Sequence, residues 1–364
     1  MKRLLIGLLA CSGGASLLAQ PSAAPFKLGT FGHAGRTFPG IVLADTSVVD
    51  IAAANAALES RHPSWPRIAM PADMKDLIAC YAAGGLKDRL YAIASEGRGE
   101  APYVYPLEAL TLRPPVLPGM LLNAAVNYTE HESEMTRRPG AGPATPPSPP
   151  KSILGLWERK PDDTRHNPYL FLKAPNAVIA AGEAIRIPPG RDRVDWECEM
   201  TLVIGREATR VPVERAADYI FGYTLQNDVS DRGERGDGRH GSDWLVAKSH
   251  DTFAPLGPFI VPSEFIKDPQ NLPIRFSLNG QLMQDSTTAR MTHSVHELVS
   301  FASHVITLRP GDAIATGSSA GVGVARTPPI FMKAGDRAVC SVEGIGTLAS
   351  PVVGPEATTG KAPR

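Results

Sequence analysis

The chain has 364 residues, with 37 basic and 37 acidic side chains and therefore no formal net charge, so it lacks the excess of basic residues typical of nucleic-acid-binding proteins. Apolar residues make up 43% and charged residues 20%, which excludes wholesale disorder. Glycine and proline number 34 each, without a repeat period, or about 9% of the chain against averages of about 7% and 5%. This excess excludes collagen and predicts many turns and few long helices.

The first 24 residues have the pattern of a secretory signal peptide. Two basic residues precede an apolar stretch, Leu4–Leu9, and small residues follow toward a predicted cleavage site after Ala19. The stretch is too short to span a bilayer well. Leu8-Leu9-Ala10-Cys11 also resembles a lipoprotein cleavage box, so attachment of a lipid at Cys11 stays open. We expect an exported protein, either periplasmic or secreted, without a membrane span.

Residues 25–117 are predicted to form a small N-terminal domain. Phe26–Phe31 and Gly40–Asp45 have the short apolar runs of strands, whereas Met74–Tyr81 and Leu86–Ala94 have the apolar spacing of amphipathic helices. A Pro-rich linker, Arg113–Pro118, follows them.

Residues 118–353 are predicted to form a second, catalytic domain. Short β-rich runs alternate with turns, and one clear helix is expected at Ser294–Ile306. Six prolines fall within Pro139–Pro150, so the insertion at 135–167 should be an exposed, semi-rigid loop, either a lid over a site or a passive insertion. The polar tail 354–364 is expected to be disordered. The predicted fold class is α+β and β-rich.

Three cysteines follow the predicted signal segment: Cys80, Cys198 and Cys340. They include no close pair, so a disulfide framework is not indicated and at most one bridge can form. We interpret them as small buried hydrophobic residues.

Three acidic residues alternate along one predicted strand, Val194–Gly205. Because successive side chains of a strand point to opposite faces, Asp195, Glu197 and Glu199 share one face, with neighbouring carboxylates about 7 Å apart. Partly buried like charges repel unless one is protonated or a cation neutralises them. Oxygen ligands suit Mg²⁺, Mn²⁺ or Ca²⁺. The spacing alone leaves a metal site and a solvated face both open.

A further carboxylate favours the metal site. Tyr219–Gln226 has the pattern of an apolar strand, and it ends in Asn227-Asp228, where a side chain can lean over the edge of a sheet. Two glutamates from one strand and an aspartate from the end of another would form a metal face with positions left for water and a chelating substrate.

Seven motifs follow one another between residues 120 and 353, and their order resembles that of the fumarylacetoacetate hydrolase superfamily. They are Asn127-Tyr128 with His131 and Glu134, Phe171-Leu172-Lys173-Ala174-Pro175, Asp195-Trp196-Glu197-Cys198-Glu199, Asn227-Asp228-Val229-Ser230, Lys248 through Pro258, Leu308-Arg309-Pro310-Gly311-Asp312, and Thr316-Gly317 followed by Gly321-Val322-Gly323. The resemblance implies a mixed β-roll or barrel-like core, a smaller N-terminal domain and a homodimer.

The resemblance also implies the roles of individual residues. Glu197, Glu199 and Asp228 would hold Mg²⁺ or Mn²⁺, with Ca²⁺ as an alternative. His131 would act as general base with the help of Glu134, three residues further on, and Lys248 would stabilise an oxyanion. Substrate contacts are expected from four further residues: Tyr128, Arg232, Thr316 and Gly317.

Two departures from the family pattern bear on the substrate. After Arg232 the family usually has a glutamine, which is absent here, and His250 stands where an aromatic residue such as phenylalanine is usual.

We therefore expect a hydrolase that cleaves a C–C bond in a β-diketo or 2-oxo acid, of the acylpyruvase or fumarylacetoacetase type, in a catabolic pathway. An enol–keto isomerase or an oxo-acid decarboxylase on the same metal site is the alternative. An inactive, exported protein that binds oxo acids is the alternative of a different class.

Three other patterns carry no function. Gly317–Gly321 matches a nucleophile elbow around Ser319, but no histidine follows His304 to complete a triad in the order that this motif requires. Gly236–Gly241 matches a nucleotide-binding loop but does not follow a strand. His293 and His296 lack a further zinc ligand, so we expect a surface role at a helix N-terminus.

Overall fold

The structure is a computed structural model, and it describes residues 25–97, 99–137, 150–236, 239 and 241–355. The predicted signal segment, the Pro-rich run 138–149 within the predicted lid and residues 356–364 of the predicted disordered tail lie outside the described residues.

Nineteen strands are found in the described part of the chain. They are β1 Lys27–His33, β2 Arg36–Leu43, β3 Ser47–Asp50, β4 Val104–Pro106, β5 Thr111–Arg113, β6 Leu121–Ala124, β7 Leu170–Lys173, β8 Val178–Ile179, β9 Ile185–Arg186, β10 Val194–Asp195, β11 Cys198–Ile204, β12 Ile220–Asn227, β13 Ser230–Asp231, β14 Ala254–Pro262, β15 Pro273–Leu278, β16 Gln281–Thr287, β17 Ala313–Ala315, β18 Arg337–Val342 and β19 Gly346–Val353.

Six α-helices accompany these strands in the same part of the chain. They are α1 Ile51–Arg61, α2 Met74–Cys80, α3 Leu86–Glu96, α4 Thr129–Arg137, α5 Trp244–Lys248 and α6 Val295–Val305. The predicted helices at Met74, Leu86 and Ser294 are present. Helix α6 begins with a capping box, in which Ser294 and Glu297 satisfy each other's backbone N–H groups, and this fixes its first turn. Helix α1 was not predicted because its alanine-rich sequence lacks a marked apolar stripe.

The strands form one large mixed sheet and two smaller sheets. The large sheet has twelve strands in the order β4-β3-β2-β1-β14-β12-β11-β17-β6-β7, with β5 beside β1 and β8 beside β14. A second sheet of five strands has the order β16-β15-β18-β19-β9, and β10 pairs with β13. The predicted α+β, β-rich class is confirmed, and the strand orders of the described residues do not form a closed barrel.

The N-terminal strands continue the large sheet, because β1 pairs with β14 at Leu28 and Ile260. Side chains from both parts of the chain also share one apolar cluster, in which Phe221 and Ile260 lie with residues of α1, α2 and α3. The domain boundary near residue 117 stays a prediction from the sequence.

The main apolar core fills the space between β11, the five-stranded sheet and α6. Met200 and Leu202 of β11 are buried there with Phe276 of β15 and Leu298 of α6. The indole of Trp196 stacks on the ring of Phe276, with 5.3 Å between the centroids. This packing fixes the apolar face of β11, so the opposite face must carry the acidic side chains.

Two cysteines in this core are bonded to each other. Cys198 of β11 and Cys340 of β18 form a disulfide, which joins the large sheet to the five-stranded sheet. The interpretation of all three cysteines as unpaired is therefore wrong for this pair, since distant strands meet in a way that cysteine spacing does not reveal. Cys80 is free but exposed, so its predicted burial is wrong.

Among the described residues, no helix has the length and apolar character needed to cross a membrane.

Candidate metal centre and active site

Three buried carboxylates meet where β11 begins and β12 ends. Cys198 pairs with Asn227, so Glu197 and Asp228 lie opposite each other one residue further along, and the Asp228 N–H donates to the Glu197 carbonyl oxygen over 2.8 Å. Glu199 follows two residues after Glu197 on the same face of β11. One carboxylate oxygen from each residue lies within 4.8 Å of those of the other two. The strand register thus brings together the predicted ligand set.

This donor set fits a divalent cation. Glu197, Glu199 and Asp228 are 6%, 1% and 1% exposed, so water cannot screen the repulsion among three ionised groups. Three anionic oxygen donors are the ligands that hard divalent ions prefer. The triad can therefore bind a divalent metal.

Three basic side chains surround the carboxylates. Nζ of Lys248 lies 2.6 Å from Oε2 of Glu197 and 2.6 Å from Oδ2 of Asp228. Lys173, fully buried in β7, donates to Oδ1 of Asp228 and, over 2.9 Å, to the carbonyl oxygen of Val229. Two of the carboxylates are thus held by direct ion pairs.

Arg232 provides the third cation. Its guanidinium contacts Glu197, and its Nε donates to Oδ2 of Asp195 over 3.0 Å. Asp195 in turn accepts hydrogen bonds from the backbone N–H groups of Gly323 and Val324, at 2.7 and 3.1 Å. Asp195 therefore joins Arg232 to the loop that follows β17.

The surroundings separate the pKa values of the two glutamates. Burial, together with the nearby Asp228 and Glu197 carboxylates, raises the pKa of Glu199 well above its usual range. Burial also opposes ionisation of Glu197, but the Lys248 ammonium and the Arg232 guanidinium outweigh it and hold the pKa of Glu197 well below its usual range. Before a metal binds, Glu199 is therefore the carboxyl of the pair that most readily keeps a proton.

The two lysines are shifted in opposite directions. Burial lowers the pKa of Lys173 to about 8, although Asp228 favours its charged form. At Lys248 burial acts in the same direction, but Asp228 and Glu197 together outweigh it and raise the pKa. Lys248 is thus charged at neutral pH and faces two carboxylates at once.

Helix α4 places His131 beside this centre. Nδ1 of His131 lies 2.7 Å from Oε1 of Glu134, one turn further along the helix. The other carboxylate oxygen of Glu134 accepts a hydrogen bond of 2.8 Å from the Gly321 N–H. Both oxygens of Glu134 are therefore used, and the imidazole is held in one orientation with Nε2 left for chemistry.

A cavity of about 380 Å³ connects these groups. Its lining includes His131, Glu197, Arg232 and Lys248, together with the aromatic rings of Phe171 and Trp244, and further residues Arg235, Ser242 and Ser318. The polar groups of this lining thus face one cavity large enough for a small organic acid.

The four residues predicted to contact the substrate lie in different surroundings. Arg232 lines the cavity. Tyr128 is fully buried, and its hydroxyl has no hydrogen-bond partner among the described residues. Thr316 donates its hydroxyl to the Met200 carbonyl oxygen over 2.8 Å, and the Gly317 N–H donates to Oε2 of Glu199 over 2.8 Å. These bonds hold the sheet and one ligand carboxylate, and substrate contact by these residues stays a prediction.

Two further residues of the centre, Lys173 and Asp195, were not predicted as site residues. Both side chains are fully buried and ionisable. Two features of the sequence could have drawn attention to them: a lysine within a short apolar run, and an aspartate two residues before Glu197. Neither signal shows a partner that lies far away in the sequence.

The patterns set aside in the sequence also have positions in the structure. The hydroxyl of Ser319 is buried and lies 3.3 Å from Nε2 of Gln284, without a histidine among its hydrogen-bond partners in the described residues. His293 is fully buried, and its Nε2 lies 2.8 Å from the carbonyl oxygen of His166. The expected surface role of His293 is therefore wrong, because the segment containing His166 covers the start of α6.

Comparison with known proteins identifies related sequences. A mitochondrial oxaloacetate tautomerase of Xenopus laevis is 42% identical over 186 residues, which cover 51% of this chain and 58% of that relative. The chain thus matches less than two thirds of that relative's length. A fumarylacetoacetate hydrolase domain-containing protein 2 homolog of Dictyostelium discoideum is 36% identical over 256 residues, covering 68% of this chain and 75% of that protein.

The comparison contradicts the predicted export. The Xenopus laevis relative is by its name a mitochondrial protein, and the predicted export does not fit this finding. A basic, acid-free N-terminus is common to export signals and mitochondrial targeting segments, so this composition did not separate the two.

The fold and the family agree. The 5-carboxymethyl-2-hydroxymuconate delta-isomerase of Mycobacterium smegmatis is 30% identical, with a TM-score of 0.61, and the match covers 91% of this chain and 100% of that structure. The family profile described as fumarylacetoacetate (FAA) hydrolase C-terminal matches residues 121–353, which hold every predicted ligand and catalytic residue. The chain therefore belongs to the fumarylacetoacetate hydrolase family.

Proposed function

We propose that this protein is a divalent-metal-dependent tautomerase that interconverts the enol and keto forms of a small 2-oxo acid. One observation carries the proposal: Glu197 of the carboxylate triad, Lys248 and His131, whose ring Glu134 holds, all line one cavity of about 380 Å³. The names of two relatives, an oxaloacetate tautomerase and a hydroxymuconate isomerase, support this choice over the hydrolysis expected from the sequence.

Glu197, Glu199 and Asp228 would hold the metal, which we propose to be Mg²⁺ or Mn²⁺. The bound cation would supply Lewis acidity that favours negative charge on nearby substrate oxygens. Calcium would fit the same donors with a looser geometry.

The protein's own groups can move the proton. Tautomerisation removes the proton of the enol O–H and adds one to the neighbouring carbon, so neither water nor a leaving group is consumed. Because Glu134 holds Nδ1 of His131, Nε2 is the atom that can accept and return a proton. Lys248 would stabilise the enolate oxygen that carries negative charge between the two transfers.

Basic groups in the cavity fit an anionic substrate. Arg232, Arg235 and Lys248 all line it, beside the aromatic surfaces of Phe171 and Trp244. Arginine pairs with carboxylates through two parallel hydrogen bonds, which fixes their orientation. A short 2-oxo dicarboxylic acid such as oxaloacetate combines the charge and the size that this lining favours.

Hydrolysis of a C–C bond is the second candidate. The contact of His131 with Glu134 would equally activate a water molecule for attack on a carbonyl carbon. Decarboxylation would use the same metal site. An inactive binding protein is disfavoured, because such a protein has no need of an oriented histidine.

Assays of products distinguish these reactions. With Mn²⁺ bound, we expect loss of the enol absorbance of oxaloacetate without release of carbon dioxide, and no acid release from acylpyruvates. Acid release at a rate above that of enol loss would establish the hydrolase instead. Carbon dioxide release that keeps pace with enol loss would establish the decarboxylase.

We also propose a homodimer, on the basis of the family alone. Light scattering is expected to give twice the mass of the monomer, and a monomeric mass would contradict this.

A further inference from the structure

Four fully buried polar side chains lie on the same face of the large sheet as Glu199. They are Asn123, Thr201, Thr224 and Gln226, each with no exposed surface. Six of their polar atoms have no hydrogen-bond partner among the described residues: both amide atoms of Asn123 and of Gln226, and the hydroxyls of Thr201 and Thr224. We call these four residues the polar row. Native proteins seldom leave so many buried polar atoms without partners.

The strand register places the polar row. Asn123 of β6 lies beside Ala315 of β17, Ala315 lies beside Thr201 of β11, and Thr201 lies opposite Thr224 of β12. Residues paired across a sheet point to the same face. Thr201 follows Glu199 by two residues, so the row shares the face of that glutamate.

Gln226 joins the row to the metal centre, because it lies directly opposite Glu199 in the β11–β12 pair. At the other end, Asn123 lies opposite Phe171, whose ring lines the substrate cavity. The row thus extends across the sheet from β12, beside Glu199, to β6, beside a residue that lines the cavity.

The small side chain of Ala315 leaves space within the row. Strands are about 4.8 Å apart, so Asn123 and Thr201 are separated by about 10 Å across β17. Their side chains are too short to bond directly over that distance. Mixed donors and acceptors, from two amides and two hydroxyls, suit water better than a bare cation or an anion.

We propose that the polar row holds ordered internal water molecules, and that these waters support Glu199 from the side of the sheet. The presence of the waters follows from the buried side chains alone, whereas the support of a metal ligand also rests on the proposed function. Outer hydrogen-bonding groups of this kind orient metal ligands, and their loss commonly weakens metal binding about 10–100-fold.

Thermal unfolding in the presence of EDTA tests for the waters, because Tm should change in opposite directions with and without them. Thr201→Val and Thr224→Val keep the shape of the side chain and remove only the hydroxyl. If waters are bound, each change removes one of their partners, and we expect Tm to fall by about 2–4 °C. If the row is dry, each change removes an unsatisfied polar atom, so Tm would stay or rise, and that result would overturn the proposal.

A matched control sets the scale of the fall in Tm. Thr30 lies outside the site and donates its hydroxyl to the Pro115 carbonyl oxygen over 2.9 Å, so Thr30→Val removes a known hydrogen bond. A fall similar to that of Thr30→Val is expected for the variants of the row. Should a variant fail to fold, a high-resolution crystal structure of the wild type decides: waters bonded to the row support the proposal, and an apolar void or a metal ion overturns it.

Calorimetric titration with Mn²⁺ tests the support of Glu199. Gln226→Met keeps the length of the side chain but removes its amide, and we expect about tenfold weaker binding, while Thr30→Val leaves the affinity unchanged. Equal affinity of Gln226→Met and wild type would overturn this part while leaving the result on the waters intact. Failure of the wild type to bind Mn²⁺ would instead refute the proposed function.

Discussion

Nδ1 of His131 and Oε1 of Glu134 lie 2.7 Å apart on consecutive turns of α4, and the second oxygen of Glu134 is held by the Gly321 N–H. The carboxylate therefore fixes the ring from one side and is itself fixed by the loop after β17. This arrangement leaves Nε2 of His131 as the atom available for proton transfer.

The first prediction concerns this pair. His131→Asn removes the group that we propose to transfer the proton, and we expect kcat to fall about 10²–10⁴-fold with little change in Mn²⁺ affinity. Glu134→Gln should lower kcat in the same direction, because an amide cannot accept at both of its positions. Steady-state kinetics on oxaloacetate, with Mn²⁺ titration alongside, measure both quantities.

Glu132 on the same helix offers a matched control. Its side chain is exposed, so Glu132→Gln removes the same charge from α4 without touching His131. We expect wild-type kcat for this variant. A kcat for His131→Asn equal to that of Glu132→Gln would remove His131 from the mechanism.

The second prediction concerns the pH dependence of metal binding. The pKa of Glu199 is raised well above its usual range by burial and by its carboxylate neighbours, so protons compete with the metal for this group. As the pH falls toward the raised pKa, Mn²⁺ affinity should fall, and binding should release a proton. Titrations in two buffers of different ionisation enthalpy measure that proton. Release of no proton at any pH below neutrality would contradict the assignment of Glu199.

The third prediction separates catalysis from metal binding at Lys248. Lys248→Met removes a positive charge 2.6 Å from two ligand carboxylates. Less repulsion should strengthen Mn²⁺ binding, whereas loss of the cation that we propose to stabilise the enolate should lower kcat about 10²–10³-fold. Kinetics at saturating Mn²⁺ isolate the second effect.

Lys267, an exposed lysine, provides the control for this change. Lys267→Met should leave both quantities at their wild-type values. Weaker Mn²⁺ binding by Lys248→Met would show that the lysine mainly holds the site together.

The fourth prediction concerns stability in mild acid. Burial, with Arg165 nearby, lowers the pKa of His293 to about 4. Between that value and the unfolded value of about 6.5 the unfolded chain binds more protons, so the free energy of unfolding falls as the pH drops through this range. His293→Gln should show a smaller fall between pH 7 and pH 4. Identical pH dependence in both proteins would contradict this origin of the acid sensitivity.

The fifth prediction concerns the disulfide between Cys198 and Cys340. A bond that joins strands 142 residues apart in sequence restricts the unfolded chain, so its loss should destabilise the protein by roughly 2–5 kcal/mol. Denaturant unfolding of Cys198→Ala/Cys340→Ala measures the change. Cys80→Ala, at the exposed free cysteine, should be neutral. Equal stability of the double variant and the wild type would contradict a structural role of the bond.

The three metal-binding carboxylates could be predicted from the sequence, because strand alternation is a local property. Glu197 and Glu199 are expected on one face by strand alternation, and the acidic residue after β12, Asp228, completes the triad, whereas Asp195 lies in the separate short strand β10. The i, i+3 spacing of His131 and Glu134 was likewise local, and the two side chains do meet.

Contacts between strands that lie far apart in the sequence could not be predicted from local patterns. Lys173 of β7 contacts Asp228 after β12, although β7 and β12 lie four positions apart in the order of the large sheet, and Cys198 meets Cys340 across two sheets. Nothing local marks such partners. Hydrolysis and the proposed tautomerisation could not be separated from the sequence, because both reactions would use the same three carboxylates and the same oriented histidine.

The enol form of oxaloacetate provides the most direct test of the central claim. Its rate of conversion to the keto form should be measured for wild type and for Glu197→Gln, each with Mn²⁺ and with EDTA. We predict rapid conversion by the wild type with Mn²⁺ and conversion near the uncatalysed rate in the other three conditions. Equal rates for the wild type with Mn²⁺ and with EDTA would contradict a metal-dependent tautomerase.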